Sequence, residues 1–358
     1  VVCWLNPAVR RDGLFEGLFE AGEYRDVEAY YASQPQLDAT PLRRAPDLAA
    51  YLGIDRVDVK DESHRFGLAA FKILGARFAA HRLGRDIERG VVAATAGNHG
   101  RALARVARDH AVPCTIFVPS ARGMGDVERA TRERRVAGMS EDGATVVEVD
   151  GSYEDAVRLA AAHGETTGAT LVSDVSWPGY ETIPRWIMAG YTHLVEESAG
   201  QWERPPDIVF VQGGVGGLVC AAVSWLANRF GPARPFVVAC EPERAACLLE
   251  SARAGAPVTI GGDLATMMAG LRCATPSSAA WPAIRHGVDA FLSVPDALAI
   301  EAMQRLGAED SPIEAGPSGA CGIAAAIAAA HDAALAALRH ACGWSHATRA
   351  FAIVTEGP

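Results

Sequence analysis

Short apolar runs bounded by turn residues alternate along this chain with longer stretches whose apolar positions recur at helical spacing. The runs Arg56–Lys60, Gly90–Thr95, Cys114–Val118, Thr145–Val149, Thr170–Ser173, Asp207–Gln212, Phe236–Cys240 and Phe351–Thr355 predict strands. The stretches Phe71–Leu83, His99–Asp109, Asp126–Ala137, Tyr153–His163 and Gly217–Arg229 predict amphipathic helices, and an Ala-rich helix is expected near residue 325. Strands that alternate with helices predict an α/β protein with mainly parallel sheets. Ligands in such sheets bind beyond the carboxyl ends of strands, so the loops that follow strands are where chemistry is expected. The Pro-rich step Trp202–Glu203–Arg204–Pro205–Pro206 reads as a connection between lobes.

At 358 residues the chain is long enough for two lobes around a cleft, and 49% hydrophobic against 21% charged residues predicts a packed core. The formal charge of −10 argues against a nucleic-acid partner, which would need a basic face. No apolar run is long enough to span a membrane, the Ala-rich stretch Ala320–Ala330 included. Val1–Arg11 lacks the basic-then-apolar layout of a signal peptide, so a cytoplasmic enzyme is expected. The eight cysteines form no CxxC and the ten histidines no HExxH; no metal site is expected.

Three loops after strands carry unusual residues. In Gln212–Gly213–Gly214–Val215–Gly216–Gly217, glycines before a helix let backbone N–H groups converge on an anion, and a phosphate suits them. A dinucleotide fold is the rival, with Glu241 as its ribose acid, but Val219 occupies the third glycine position of GxGxxG. A plain tight turn is the simpler alternative. Thr95–Ala96–Gly97–Asn98–His99–Gly100–Arg101 offers backbone donors, an amide and an imidazole; Asn98 could equally be a helix N-cap. Arg65–Phe66–Gly67–Leu68–Ala69–Ala70–Phe71–Lys72 brings a lysine to an apolar side, where it either snorkels or has a buried role. A lysine amine, a phosphate cradle and an amide-bearing loop are together the parts that hold pyridoxal phosphate.

The order of these segments resembles the β-family (fold-type II) pyridoxal-phosphate enzymes, which include serine and threonine dehydratases and cysteine synthases. Within them the chain is most similar to the diaminopropionate ammonia-lyases. Arg65–Lys72 resembles their RFGLxAFK segment, and Thr95–Arg101 their ATDGNHGR loop. Ser173–Tyr180, continuing through Ile183–Met188, resembles DTAWEGYxxIPxWIM; Thr266–Cys273 is similar to TIMAGLxC, and Val354–Gly357 to STEGD. The matches run in order from Leu5 onward.

The resemblance implies a tryptophan-synthase-β-like fold, with the cofactor pyridoxal 5'-phosphate in a cleft between two lobes. A large cofactor-binding domain is expected over residues 1–85 and 198–358, and a small substrate-side domain over 86–197. It implies that Lys72, beside Phe71, binds the cofactor as an internal aldimine and then removes the Cα proton. Asn98 would support the cofactor's ring oxygen, and Gly213, Gly214, Val215, Gly216 and Gly217 would donate N–H groups to its phosphate. Thr355 would face the pyridine nitrogen, leaving it neutral, a weaker electron sink that suits rapid elimination. Thr95, Ala96, Gly97 and His99 would receive the substrate carboxylate. Asp174 would hold and assist a β-ammonium, with Tyr180 also on the substrate side; Asp174 could equally serve as a cap or turn residue, and Trp177–Tyr180 as a lid or a packed turn.

The implied reaction is α,β-elimination of ammonia from L-2,3-diaminopropionate, with a homodimer as the implied assembly. Two departures bear on it. Ala96 replaces an acid that the family uses as a base toward the D-isomer, and Ala315 and Pro317 replace a serine and a glutamate of an SGESGA pattern. They keep open β-elimination or β-replacement on another β-substituted amino acid (serine, cysteine or an O-activated serine). A non-catalytic cofactor- or dinucleotide-binding protein is the third reading. Cys247 and Cys273 stand where the family can carry a cysteine pair; in a cytosol they are expected reduced.

Overall fold

The computed structural model describes residues 1–120 and 126–358, which separate into two compact units, Val1–Phe71 with Tyr191–Pro358, and Lys72–Gly190. The strands in chain order are β1 (Val2–Leu5), β2 (Leu42–Arg44), β3 (Arg56–Asp61), β4 (Val91–Ala94), β5 (Cys114–Pro119), β6 (Thr145–Val149), β7 (Thr170–Leu171), β8 (Ile208–Gln212), β9 (Phe236–Pro242), β10 (Ala290–Val294) and β11 (Arg349–Val354).

The larger unit holds a seven-stranded sheet in the order β1-β10-β9-β8-β11-β3-β2. Its five inner strands run parallel, and the edge strands β1 and β2 run antiparallel to β10 and β3. On one face lies the Ala-rich helix Cys321–His331, packed with Phe210, Val238, Leu292 and Ala352 of the strands. A Cβ at Gly322 would lie 3.1 Å from the Phe210 carbonyl oxygen. Small side chains are what let this helix approach the sheet so closely.

The smaller unit holds a four-stranded sheet in the order β6-β5-β4-β7, parallel throughout. Helix Tyr153–Thr167 packs Ala156 and Ala160 onto Val92, Ala94 and Phe117. Ser152 caps it, accepting from Asp155 N–H while Asp155 reaches back to Ser152 N–H, a reciprocal pair that fixes its start.

All eight predicted strands form, with β7 shortened to two residues because Ser173 already begins a turn. Three strands escaped the pattern. β1 and β2 are short, half-exposed edges, and β10 is a five-residue, wholly buried run that periodicity cannot tell from a helix. The units also divide at residues 71/72 and 190/191, not at 85/86 and 197/198. The reason is helix Lys72–Leu83, which packs against Gly190: a Cβ there would lie 2.9 Å from Leu74 O and 3.0 Å from Gly75 Cα. That helix therefore goes with the smaller unit. Trp202–Pro206 joins two elements of the larger unit and is not a connection between units. Among the described residues, no single helix is long and apolar enough to cross a membrane.

Candidate active site

In the larger unit β8, β11 and β3 lie side by side and parallel, so their carboxyl ends open on one edge. The segment leading to Phe71 leaves β3 there, the glycine loop leaves β8, and Thr355 follows β11. Phe71 N–H donates to Thr355 O at 3.2 Å, and the Phe71 ring lies 4.7 Å from that of Tyr191. Buried Gln212, which heads the glycine loop but was assigned no role from the sequence, ties this edge together. Its Nε2 donates to Ile353 O at 2.6 Å and Gly319 O at 2.9 Å, and lies 3.4 Å from Thr355 Oγ1. A glutamine before a glycine loop carries no local signal, because its partners lie more than 100 residues away.

The glycine loop opens helix Gly217–Phe230. Gly213 does not serve as an anion donor: its N–H closes the sheet on Cys240 O at 2.7 Å. Among the described residues the N–H groups of Gly214, Val215, Gly216 and Gly217 have no partner, and they stand at a helix start where the dipole favours an anion. Gly216 has φ +97°, and a Cβ there would lie 2.4 Å from Ile284 Cδ1. Glycine is thus required for backbone shape and for packing behind the loop. Cys247 Sγ lies 3.5 Å from Gly214 O and a Cβ at Gly214 would lie 3.1 Å from Cys273 Sγ; no disulfide joins the two cysteines.

Glu241 does not present itself to a ribose. It is fully buried, its two carboxyl oxygens accepting Leu248 and Leu249 N–H at 2.8 Å each, which caps helix Cys247–Ala254. Burial pushes its carboxyl up to about 8, against the opposing pull of those two donors. With that and Val219, the dinucleotide reading falls.

In the smaller unit β4 and β7 are parallel neighbours, so loops 95–101 and 173–180 share one end of that sheet. Lys72, first residue of its helix, does not snorkel: Nζ donates to Asp174 Oδ2 at 2.7 Å, with the side chains 24% and 16% exposed. Burial works to raise the Asp174 carboxyl. Lys72 and the His99 ring outweigh it and hold that carboxyl well below the usual carboxylate range.

His99 is buried and its Nε2 lies 2.8 Å from Val172 O, so the ring braces the two loops while Nδ1 has no partner among the described residues. Thr95 Oγ1 accepts Gly97 N–H at 3.1 Å, which withdraws Gly97 as a donor and leaves the N–H groups of Ala96 and His99. Asn98 is the first helical residue rather than the N-cap, which is Gly97. Tyr180 is not a free substrate contact either. Its hydroxyl donates to Leu171 O at 2.7 Å and accepts Ser173 N–H at 3.0 Å, pinning the strand end just before Asp174. Trp177–Tyr180 is a packed turn, with Pro178 and Gly179 (φ +88°) at its centre and the Trp177 and Tyr180 rings stacked at 4.4 Å.

The residue types fit pyridoxal phosphate: an amine beside a carboxylate, a row of N–H groups at a helix start with no partner among the described residues, and the Thr355 hydroxyl. No group of His, Cys, Asp and Glu among the described residues could hold a metal.

Comparison with known proteins agrees. Residues 34–339 match the family model "Pyridoxal-phosphate dependent enzyme", and the chain belongs to that family, in its fold-type II branch. The diaminopropionate ammonia-lyase of Escherichia coli (strain K12) is 32% identical over 339 residues, covering 88% of this chain and 83% of the relative. That of Salmonella typhimurium is 33% identical over 331 residues, covering 83% and 80%. The Escherichia coli crystal structure in complex with an aminoacrylate-PLP azomethine reaction intermediate is similar with TM-score 0.88 and 30% identity, covering 99% of this chain and 93% of that one.

Proposed function

We propose that the chain is an ammonia-lyase that acts on L-2,3-diaminopropionate by α,β-elimination. The observation that carries this reading is the Lys72–Asp174 pair at 2.7 Å, in a chain similar over most of its length to enzymes of that name. The cofactor, when bound, acidifies the Cα proton of an amino acid and accepts the electron pair released. Lys72 Nζ takes the Cα proton. Asp174, a carboxylate already matched to a lysine, receives the β-ammonium of the substrate when Lys72 is engaged elsewhere, and orients it to leave as ammonia. The 2-aminoacrylate released hydrolyses to pyruvate and a second ammonia. The N–H groups of Gly214 to Gly217 would hold the phosphate of a bound cofactor, with Thr355 at its ring nitrogen and Asn98 at its ring oxygen. The Ala96 and His99 N–H groups receive the substrate carboxylate.

Position 96 carries only a methyl group, so the L-isomer is the substrate. The working form proposed is a homodimer in the cytoplasm, as the resemblance to the family implies.

Pyruvate release measured over L- and D-diaminopropionate, L-serine, L-cysteine and O-acetyl-L-serine tests this. The L-diaminopropionate rate is expected to lead, D-diaminopropionate to give none, and Ala96→Asp to gain D-isomer turnover. Pyruvate from the serine or cysteine derivatives but not from L-diaminopropionate would establish the alternative motivated by Ala96, Ala315 and Pro317.

A further inference from the structure

The larger unit encloses four charges that this chemistry does not use. Lys60 on β3, Glu62 just after it and Arg65 in the following turn are fully buried, and Glu197 on helix Thr182–Gln201 is nearly so. Arg65 grips both carboxylates. Its Nε donates to Glu62 Oε2 at 2.7 Å and its Nη1 to Glu197 Oε1 at 2.8 Å, while Nη2 reaches Glu62 Oε1, Glu197 Oε2 and Thr40 Oγ1. Lys60 Nζ completes the set at Thr40 O (2.7 Å), Gln201 Oε1 (3.0 Å) and Glu197 Oε2 (3.0 Å). Two cations thus face two anions. His193 borders the cluster, 3.1 Å from Glu197 Oε1 and stacked on Tyr31.

A buried ion cluster is a poor route to stability, since apolar side chains of the same volume do as well or better. What a guanidinium fork supplies is geometry. Here that geometry acts on a strained turn: Phe66, next to Arg65, holds φ +50°, a left-handed conformation unfavourable for a bulky side chain. The segment is tied on its other side to the end of β11. Glu62 N–H donates to Val354 O (2.9 Å), Phe71 N–H to Thr355 O (3.2 Å) and Gly357 N–H to Ala69 O (2.9 Å), and Ala70 bridges Glu356. Lys72 is the next residue after Phe71.

We propose that the Arg65–Glu197 fork, neutralised by Lys60 and Glu62, is a positioning device for Lys72. It keeps the turn at Phe66 in its strained form and so fixes where the lysine leaves the sheet. The proposal rests on Lys72 being the cofactor lysine. Three variants of the holoenzyme test it, Glu197→Gln, Arg65→Lys, and the double Lys60→Met/Glu197→Gln, which restores the charge balance. Melting temperature, the cofactor dissociation constant, borohydride fixation of cofactor to the Lys72 peptide, kcat and KM are the readouts.

Glu197→Gln and Arg65→Lys are expected to weaken cofactor binding and lower kcat by about tenfold each, with KM within about threefold. The double variant is expected to regain the wild-type melting temperature to within about 2 °C while kcat and cofactor binding stay impaired. If kcat and binding recover with the melting temperature, or if Arg65→Lys leaves both unchanged, the cluster is only structural and the proposal fails. Wild-type enzyme with no cofactor on the Lys72 peptide would overturn the lysine assignment and this proposal with it, and that result is visible before any variant is made.

Discussion

Replacing Asp174 with asparagine removes one charge and almost no volume. In the structure the carboxylate lies 2.7 Å from Lys72 Nζ, with both side chains partly shielded from water. A charge-assisted hydrogen bond of this kind contributes about 1.5–3 kcal/mol, less than the full Coulomb attraction because some solvent reaches the pair. The same carboxylate is proposed to hold and orient the departing β-ammonium, an electrostatic role worth about 10²–10³-fold in rate. An asparagine amide can accept a hydrogen bond but cannot balance a cation. A loss of kcat of at least about a hundredfold is therefore expected, equivalent to about 2.7 kcal/mol on the barrier. Cofactor affinity should stay within about threefold, because none of the glycine-loop donors is touched. Stopped-time pyruvate assays and a cofactor titration on Asp174→Asn give both numbers. If the variant keeps more than a third of the wild-type kcat on L-diaminopropionate, Asp174 is a turn residue and the assignment is wrong.

Two further outcomes follow from the glycine loop and its neighbour. Gly216→Ala should destabilise the fold by about 3 kcal/mol, from the left-handed φ and the clash with Ile284, and weaken cofactor binding by tenfold or more; thermal melts and titration check it. Glu241 gives a pH effect. Its folded carboxyl keeps a proton up to about 8, whereas the unfolded one loses it near 4.5, so its contribution to stability is fully present below about 4.5 and is lost as pH rises toward about 8. Melting temperatures of the wild type should fall from pH 5 to 8, and those of Glu241→Gln should fall less; parallel curves would show that Glu241 does not retain its proton.

How much of this was legible in the sequence depends on how local each signal is. The loops at 65–72, 95–101 and 213–217 were readable because turn residues and strand runs adjoin them, and all three sit at strand ends as expected. Donor status was not readable. Gly213 looks like its neighbours in sequence, yet its N–H is consumed by Cys240 across the sheet, and Gly97 is withdrawn by the Thr95 hydroxyl. Tyr180 and Glu241 carry the polar groups that suggest ligand contact, but both are committed to backbone partners that only the fold brings near. The roles of Gln212 and Glu197 were invisible for the opposite reason: the partners that define them, Ile353 and Arg65, lie more than 100 positions away. The unit boundary was misplaced because periodicity shows that Lys72–Leu83 is helical without showing which sheet it packs against.

β11 is made after every other strand of its sheet, yet it lies between β8 and β3. Until it inserts, β1-β10-β9-β8 and β3-β2 are separate pieces with bare inner edges, a state open to mispairing with other chains. Assembly of the larger unit must therefore wait for its final strand. Deleting residues from 349 onward should yield an aggregating chain rather than a weakened enzyme.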